Sequence, residues 1–327
     1  MSLLANAYGN FLSTALPYYQ SMPGIVTPYG TLLKPGGRIA AYVRSTGAQD
    51  GEDHFAQSGM LVSTLNAGLA RCRSGQGDIV YVLPGHAENI TGADAMSNLV
   101  AGTQIVSAGR PGSTNNPTLT WTTADTASFL LDVADVSIVG MTLNWAGVAD
   151  VAAPMTVTGA GCAIVGCHII AQDDAVSFQA EKGVVVSTGS HNFIFAGNTV
   201  LSDSEDDDAN VTGGIVNVSA AVEGVKIVGN VISYACAGDT VGIIDVTGTV
   251  VNLLVADNLI RQLASNAAFG IILDAGTGWC VRNQIRITEN VAPTSAGVSV
   301  AGGTYLLHDN NVSAANAEAV NTHVDDS

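Results

Sequence analysis

Acid–base catalysis, sugar cleavage and cation binding all need carboxylates held close together, and this sequence offers three such groupings. They are Asp173 with Asp174, the run of acids at 203–208, and Asp245 with Asp274. The run at 203–208 reads as a solvated insertion loop. It lacks the mid-loop glycine and spaced acids of an EF-hand, so no calcium is expected there. Asp245 and Asp274 occupy neighbouring places of one short strand phrase, which predicts that they point to opposite faces. His86, His168, His191 and His308 fall on separate segments and align with no acid. The five cysteines (Cys72, Cys162, Cys167, Cys236 and Cys280) form no CxxC pair. They suggest neither a zinc site nor a disulfide framework, but buried thiols of a reducing cytoplasm. Between Pro111 and Arg261 the basic residues are Lys182 and Lys226, fewer than a sugar groove would use. No catalytic constellation, metal or cofactor is expected.

The elements that must carry these groups repeat. Seven times between Val136 and Val312 the chain alternates apolar residues, turns, and alternates again. The turn position falls at Met141, Cys167, Asn198, Asn230, Asn258, Asn283 and Asn310, giving steps of 26, 31, 32, 28, 25 and 27 residues. Runs of period two are strands, and a repeat of this length stacks as a solenoid. One unit cannot bury its own apolar face, but stacked copies bury a continuous column. Two inward rows follow from the alignment. One runs Ile138, Ile164, Phe195, Ile227, Val255, Cys280 and Leu307; the other runs Leu143, Ile169, Val200, Ile232, Ile260, Ile285 and Val312. The five asparagines, Asn198 to Asn310, are expected to form a structural ladder and to supply the left-handed corner of each coil.

A second strand phrase, beginning at Gly183, Gly214, Gly242 and Gly270, keeps the same step. Its second place is Val184, Ile215, Ile243 and Ile271. If the third and fifth places face inward, this row is an exposed aliphatic stripe and an oligomer interface. The opposite parity would make it core.

Charge is unevenly distributed. Three basic residues and no acid precede Asp50, while all 28 acids and eight basic residues lie at or beyond it. The opening stretch also carries five of the eight tyrosines and four of the nine prolines. Tyrosine suits interface cores, so this arm reads as a docking element built on Tyr8, Phe11, Tyr18, Tyr19, Tyr29, Lys34, Arg38, Tyr42 and Arg44. An arm folded back on its own body is the alternative. The acidic body argues against nucleic acid. No apolar run reaches membrane length and no signal-peptide layout is present, so neither membrane attachment nor secretion by that route is expected.

A helix follows at about 52–71, with Phe55, Leu61, Leu65 and Leu69 at helical spacing, and then Gly77-Asp78-Ile79-Val80-Tyr81-Val82-Leu83-Pro84-Gly85. A helix leading into this strand and turn, and then into repeating coils, resembles the pectate-lyase-like right-handed single-stranded parallel β-helix superfamily. The resemblance implies an all-β solenoid with an N-terminal capping helix. The expected organisation is an arm at 1–45, a linker and helix at 46–76, the β-helix at 77–315 and an acidic tail at 316–327. That scaffold serves enzymes and virion proteins alike. The acidic coils, the basic aromatic arm and the poor catalytic set resemble the β-helix decoration or cement proteins of tailed-bacteriophage heads. This implies a homotrimer with no enzymatic activity, made in the host cytoplasm and bound to the major capsid protein on the virion surface. Tail spikes and polysaccharide-degrading lyases or hydrolases of the same fold are the competing expectation.

Overall fold

A computed structural model describes residues 26–27, 30–31, 37–45, 59–123, 126–145, 151–173, 178–202, 213–234, 241–262, 269–287 and 297–314. Short strands of two to seven residues, separated by tight turns, wind into a right-handed parallel β-solenoid of about seven turns. Successive turns add strands to three sheets of twelve, ten and seven strands, all in parallel except Phe178–Gln179, which pairs antiparallel with the end of His168–Asp173. The third sheet runs from Phe129–Leu131 to Val298–Val300.

The column is built as the repeat predicts. In the first sheet Ile105, Ile138, Ile164, Phe195, Ile227, Val255, Cys280 and Leu307 stand in register, coil on coil. In the second sheet Leu119, Leu143, Ile169, Val200, Ile232, Ile260, Ile285 and Val312 do the same. From Ile105 to Cys280 and from Leu119 to Ile285 both rows are buried in one continuous core. Each such aliphatic side chain contributes about 1.5–3 kcal/mol when fully buried. Alternation puts the flanking residues of the first sheet on its outer face. These form one row from Gln104 through Ser137, Ala163, Ile194, Lys226, Leu254 and Trp279 to Leu306. A second outward row runs from Val106 through Val139, Val165, Ala196, Val228, Ala256 and Val281 to His308.

The corner between the first two sheets divides its work between two residues. The ladder is present: Asn230 Oδ1 accepts from both the backbone N–H and Nδ2 of Asn198, at 2.9 and 3.1 Å. The pattern repeats from Asn230 to Asn258, Asn258 to Asn283 and Asn283 to Asn310. Each Nδ2 also donates to a strand carbonyl of the preceding coil, as Asn258 does to Ile227 at 2.9 Å. The left-handed conformation, however, belongs to the residue before each asparagine. It is taken by Gly197, Gly229, Asp257, Arg282 and Asp309, with φ between 54° and 65°. Glycine, asparagine and aspartate tolerate this region best. Arg282 has no such excuse, and its guanidinium is held by Asp257 in two 2.7 Å hydrogen bonds one coil back.

The solenoid starts earlier than residue 77. Ile39–Val43 is a strand of the first sheet, paired in parallel with Ile79–Val82. Tyr42 stacks on Tyr81 with ring centroids 6.0 Å apart. The described helix is five residues long, Leu65–Leu69, with Thr64 as its N-cap; 46–58 lie outside the described residues. Leu65 and Leu69 enter the core, and Gly68 permits the approach, since a Cβ there would lie 2.9 Å from Val43. Glu88 Oε2 accepts the N–H of Leu65 at 2.7 Å. A carboxylate is well placed at an orphan helix N–H.

The expected exposed stripe is a correction. Val184, Ile215, Ile243 and Ile271 are fully buried members of the core. Val184 and Ile271 share an inward row with Phe129, Met155, Val216, Ile244 and Val298. Ile215 and Ile243 stand one residue earlier, level with Gly183 and Gly270. A Cβ on Gly270 would meet Ile285 at 2.6 Å, which shows that this level faces the column.

Candidate functional site

On the outer face of the third sheet, Asn217 and Asp245 occupy one row with Ile272 and Ser299. Asn217 Nδ2 donates to Asp245 Oδ2 at 3.1 Å, while Asp245 Oδ1 is buried with no hydrogen-bond partner among the described residues. The sequence reading placed Asp245 and Asp274 on opposite faces. The register corrects this, because Asp245 is level with Ile272, two residues before Asp274, so both carboxylates share the outer face. Burial, and then the charge of Asp274, push the Asp245 carboxyl up to about 6; Asn217 and Lys182 act in the other direction. A carboxyl with this affinity can hold or release a proton near neutrality, which is what a general acid requires. The signal for it was the Asn/Asp/Ser row inside an otherwise aliphatic phrase, and the one-residue register error concealed it.

The other sequence candidates are dispersed. Asp173 ends a strand of the second sheet, whereas Asp174 and the run at 203–208 lie outside the described residues. No group of three His, Cys, Asp or Glu positioned for a metal occurs among the described residues. His168 is half-buried on the second sheet, and burial lowers its pKa. His191 Nδ1 accepts from the Glu223 N–H, and His308 pairs with Asp309 at 3.2 Å on the surface. Cys167 and Cys280 are buried thiols pushed up to about 12, which makes them unreactive. No helix among the described residues is long and apolar enough to cross a membrane.

Sequence reasoning missed a buried polar cluster in the first coil. His86 Nδ1 accepts the Ser45 N–H at 2.9 Å, which leaves the ring proton on Nε2, 3.0 Å from Glu88 Oε2. The Ser45 hydroxyl accepts the Ala87 N–H at 3.1 Å. The hydroxyl therefore faces backbone and not the imidazole, and the cluster fastens the first strand to the second coil. At the other end of the Ile79–Val82 strand, fully buried Asp78 accepts from the backbone N–H, Nε and guanidinium NH2 of Arg73, at 2.9, 2.9 and 2.7 Å. Those bonds hold its carboxyl well below the usual range.

This geometry also bears on the arm. Arg38 lies 3.6 Å from Asp78 and donates to the Arg71 carbonyl, Tyr42 stacks on Tyr81, and Arg44 follows the strand beside the Gly85 turn. These three belong to the first coil. They pack against it because their strand alternates in step with Ile79–Val82. Tyr8, Phe11, Tyr18, Tyr19, Tyr29 and Lys34 lie outside the described residues. Compared with protein-family models, curated proteins and solved structures, the chain matches none.

Proposed function

We propose that this protein is a structural component of a tailed-bacteriophage virion, a homotrimer that decorates the head and is anchored by its N-terminal arm. The observation that carries the reading is the partition of the chain. Residues 1–36 contain no acid, one lysine and four tyrosines, and every acidic side chain of the chain follows them. A rigid acidic column resists sticking to nucleic acid and to other columns, while an apolar aromatic segment supplies the interface area. With Arg38 held at Asp78 and Arg44 in the first coil, Lys34 remains as the arm's basic side chain. Attachment is therefore expected to be apolar and only weakly salt-sensitive.

A second reading, a tail spike or a polysaccharide-cleaving enzyme, draws on Asp245, whose raised pKa suits a general acid. One experiment separates the two. Full-length protein and a variant lacking residues 1–36 are sedimented with bare capsids, and both are assayed for released reducing sugar on host polysaccharides. A decoration protein binds capsids only with its arm and releases no sugar. Capsid binding that survives the truncation removes the anchoring role. Sugar release abolished by Asp245→Asn establishes the enzyme instead.

A further inference from the structure

The large hydrophobics that remain exposed among the described residues are Val231, Val251, Leu259, Trp279 and Leu306, all in the last third of the chain. Four of them form two pairs of register partners: Val231 with Leu259 on the second sheet, and the more exposed Trp279 with Leu306 on the first. Trp279 and Leu306 are paired residues of adjacent coils, 57% and 58% exposed, and they extend the outward row that runs through Ile194, Lys226 and Leu254. From Ile194 to Leu306 the row spans four inter-strand steps, about 19 Å at roughly 4.8 Å each. Exposed apolar residues scattered singly need no explanation, but beyond Lys226 the row is a contiguous apolar run, Leu254, Trp279 and Leu306, and a run with a tryptophan in it is what interface cores are made of.

From this geometry we infer that the C-terminal half of the first sheet's outer face, centred on Leu254, Trp279 and Leu306, is the surface on which copies of this chain associate. The inference rests on the homo-oligomeric part of the proposed function and assigns it a face. Charge selects the occupant. At a net charge of −17, copies repel one another wherever carboxylates meet. Neither outward row of the first sheet contains an aspartate or glutamate from Gln104 to His308. On the adjoining corner Asp257 is paired with Arg282 at 2.7 Å, and Asp309 lies 3.2 Å from the His308 imidazole. The stripe runs along the stacking direction, so columns standing side by side about an axis parallel to it would bring the same residues of each copy together. Closed symmetric assemblies have this form.

The test uses the full chain, with Trp279→Glu and Trp279→Phe as variants, by sedimentation velocity across the micromolar range. Trp279 is exposed, so both variants keep the β-rich circular dichroism of the parent. The parent is expected to be oligomeric, the glutamate variant to dissociate at least tenfold more readily, and the phenylalanine variant to behave as the parent. An oligomer unaffected by Trp279→Glu would overturn the face while leaving the trimer intact. A parent that stays monomeric throughout would overturn self-association itself. A monomer whose Trp279 becomes open to acrylamide quenching only after deletion of residues 1–36 would show that the chain's own arm covers the stripe, which also overturns the proposal. Capsid co-sedimentation is read separately, so failure here does not decide the head-decoration reading.

Discussion

Asp245 illustrates how one carboxyl can carry an energetic cost that a neighbouring aliphatic would not. Among the described residues its Oδ2 has one amide donor and its Oδ1 none, and Asp274 adds a like charge on the same face. Burial of a charge with so few donors favours the neutral acid. Its folded pKa, about 6, lies above the ordinary aspartate value. The stability this group gives is therefore fully present below about pH 4 and is lost as pH rises through about 6. Relative to mildly acidic solution, the native state at neutral pH gives up on the order of 1–3 kcal/mol at this site. Asp245→Asn keeps an oxygen for the Asn217 amide and removes the charge. The variant is expected to be more stable than the parent at pH 8 by that amount, with the difference nearly gone at about pH 3. Denaturant unfolding of both proteins at the two pH values measures it. An equal gap at both would mean that packing, not protonation, sets the energetics of the site.

At the scale of elements, the third sheet separates core from interface. Ile243 is fully buried, level with Gly270 and directed toward the Ile260 and Ile285 row. Ile243→Lys would bury an ammonium among aliphatics, a change costing several kcal/mol. It is expected to abolish the cooperative unfolding transition seen by circular dichroism. A well-folded but dissociated Ile243→Lys protein would restore the outward assignment. The first and second sheets were legible in the sequence because the Gly-Asn corner marks one fixed position in each coil, and residues counted from it stay in phase. The third sheet has no such marker. Its glycine-led phrases begin at a corner, and Val184 pairs with Val216, not Ile215, so aligning the glycines slipped the register by one residue. That slip turned a core row outward and separated Asp245 from Asp274. The Ile39–Val43 strand was missed for a different reason: prolines and tyrosines around it read as an arm. The tyrosine shared by Ala40-Ala41-Tyr42-Val43 and Ile79-Val80-Tyr81-Val82 was the available signal, and those two tyrosines stack.

For the whole molecule, the decisive quantity is the balance between an apolar contact and the repulsion of like-charged columns. The first-sheet path from Ile39–Val43 to Thr304–His308 includes nine inter-strand steps, so the column is about 43 Å long at roughly 4.8 Å per step. Two columns side by side, each at −17, feel one another over a distance set by the Debye length. That length is about 30 Å at 0.01 M salt and about 3 Å at 1 M. At the lower value of salt, charges across much of each column repel; at the higher, only those at the contact do. An interface made by Leu254, Trp279 and Leu306 contains no ion pair for salt to weaken, so screening should only help it. Association is therefore expected to tighten steadily as sodium chloride is raised, with the largest change at low ionic strength and little beyond a few tenths molar. Sedimentation equilibrium over a salt series gives the slope directly. The second sheet's outer face, where Arg261 and Arg286 stand in register, would behave oppositely if it met a neighbour's carboxylates. Association that weakens with salt would thus move the contact from the tryptophan face to the arginine face, with both faces remaining on the same rigid column.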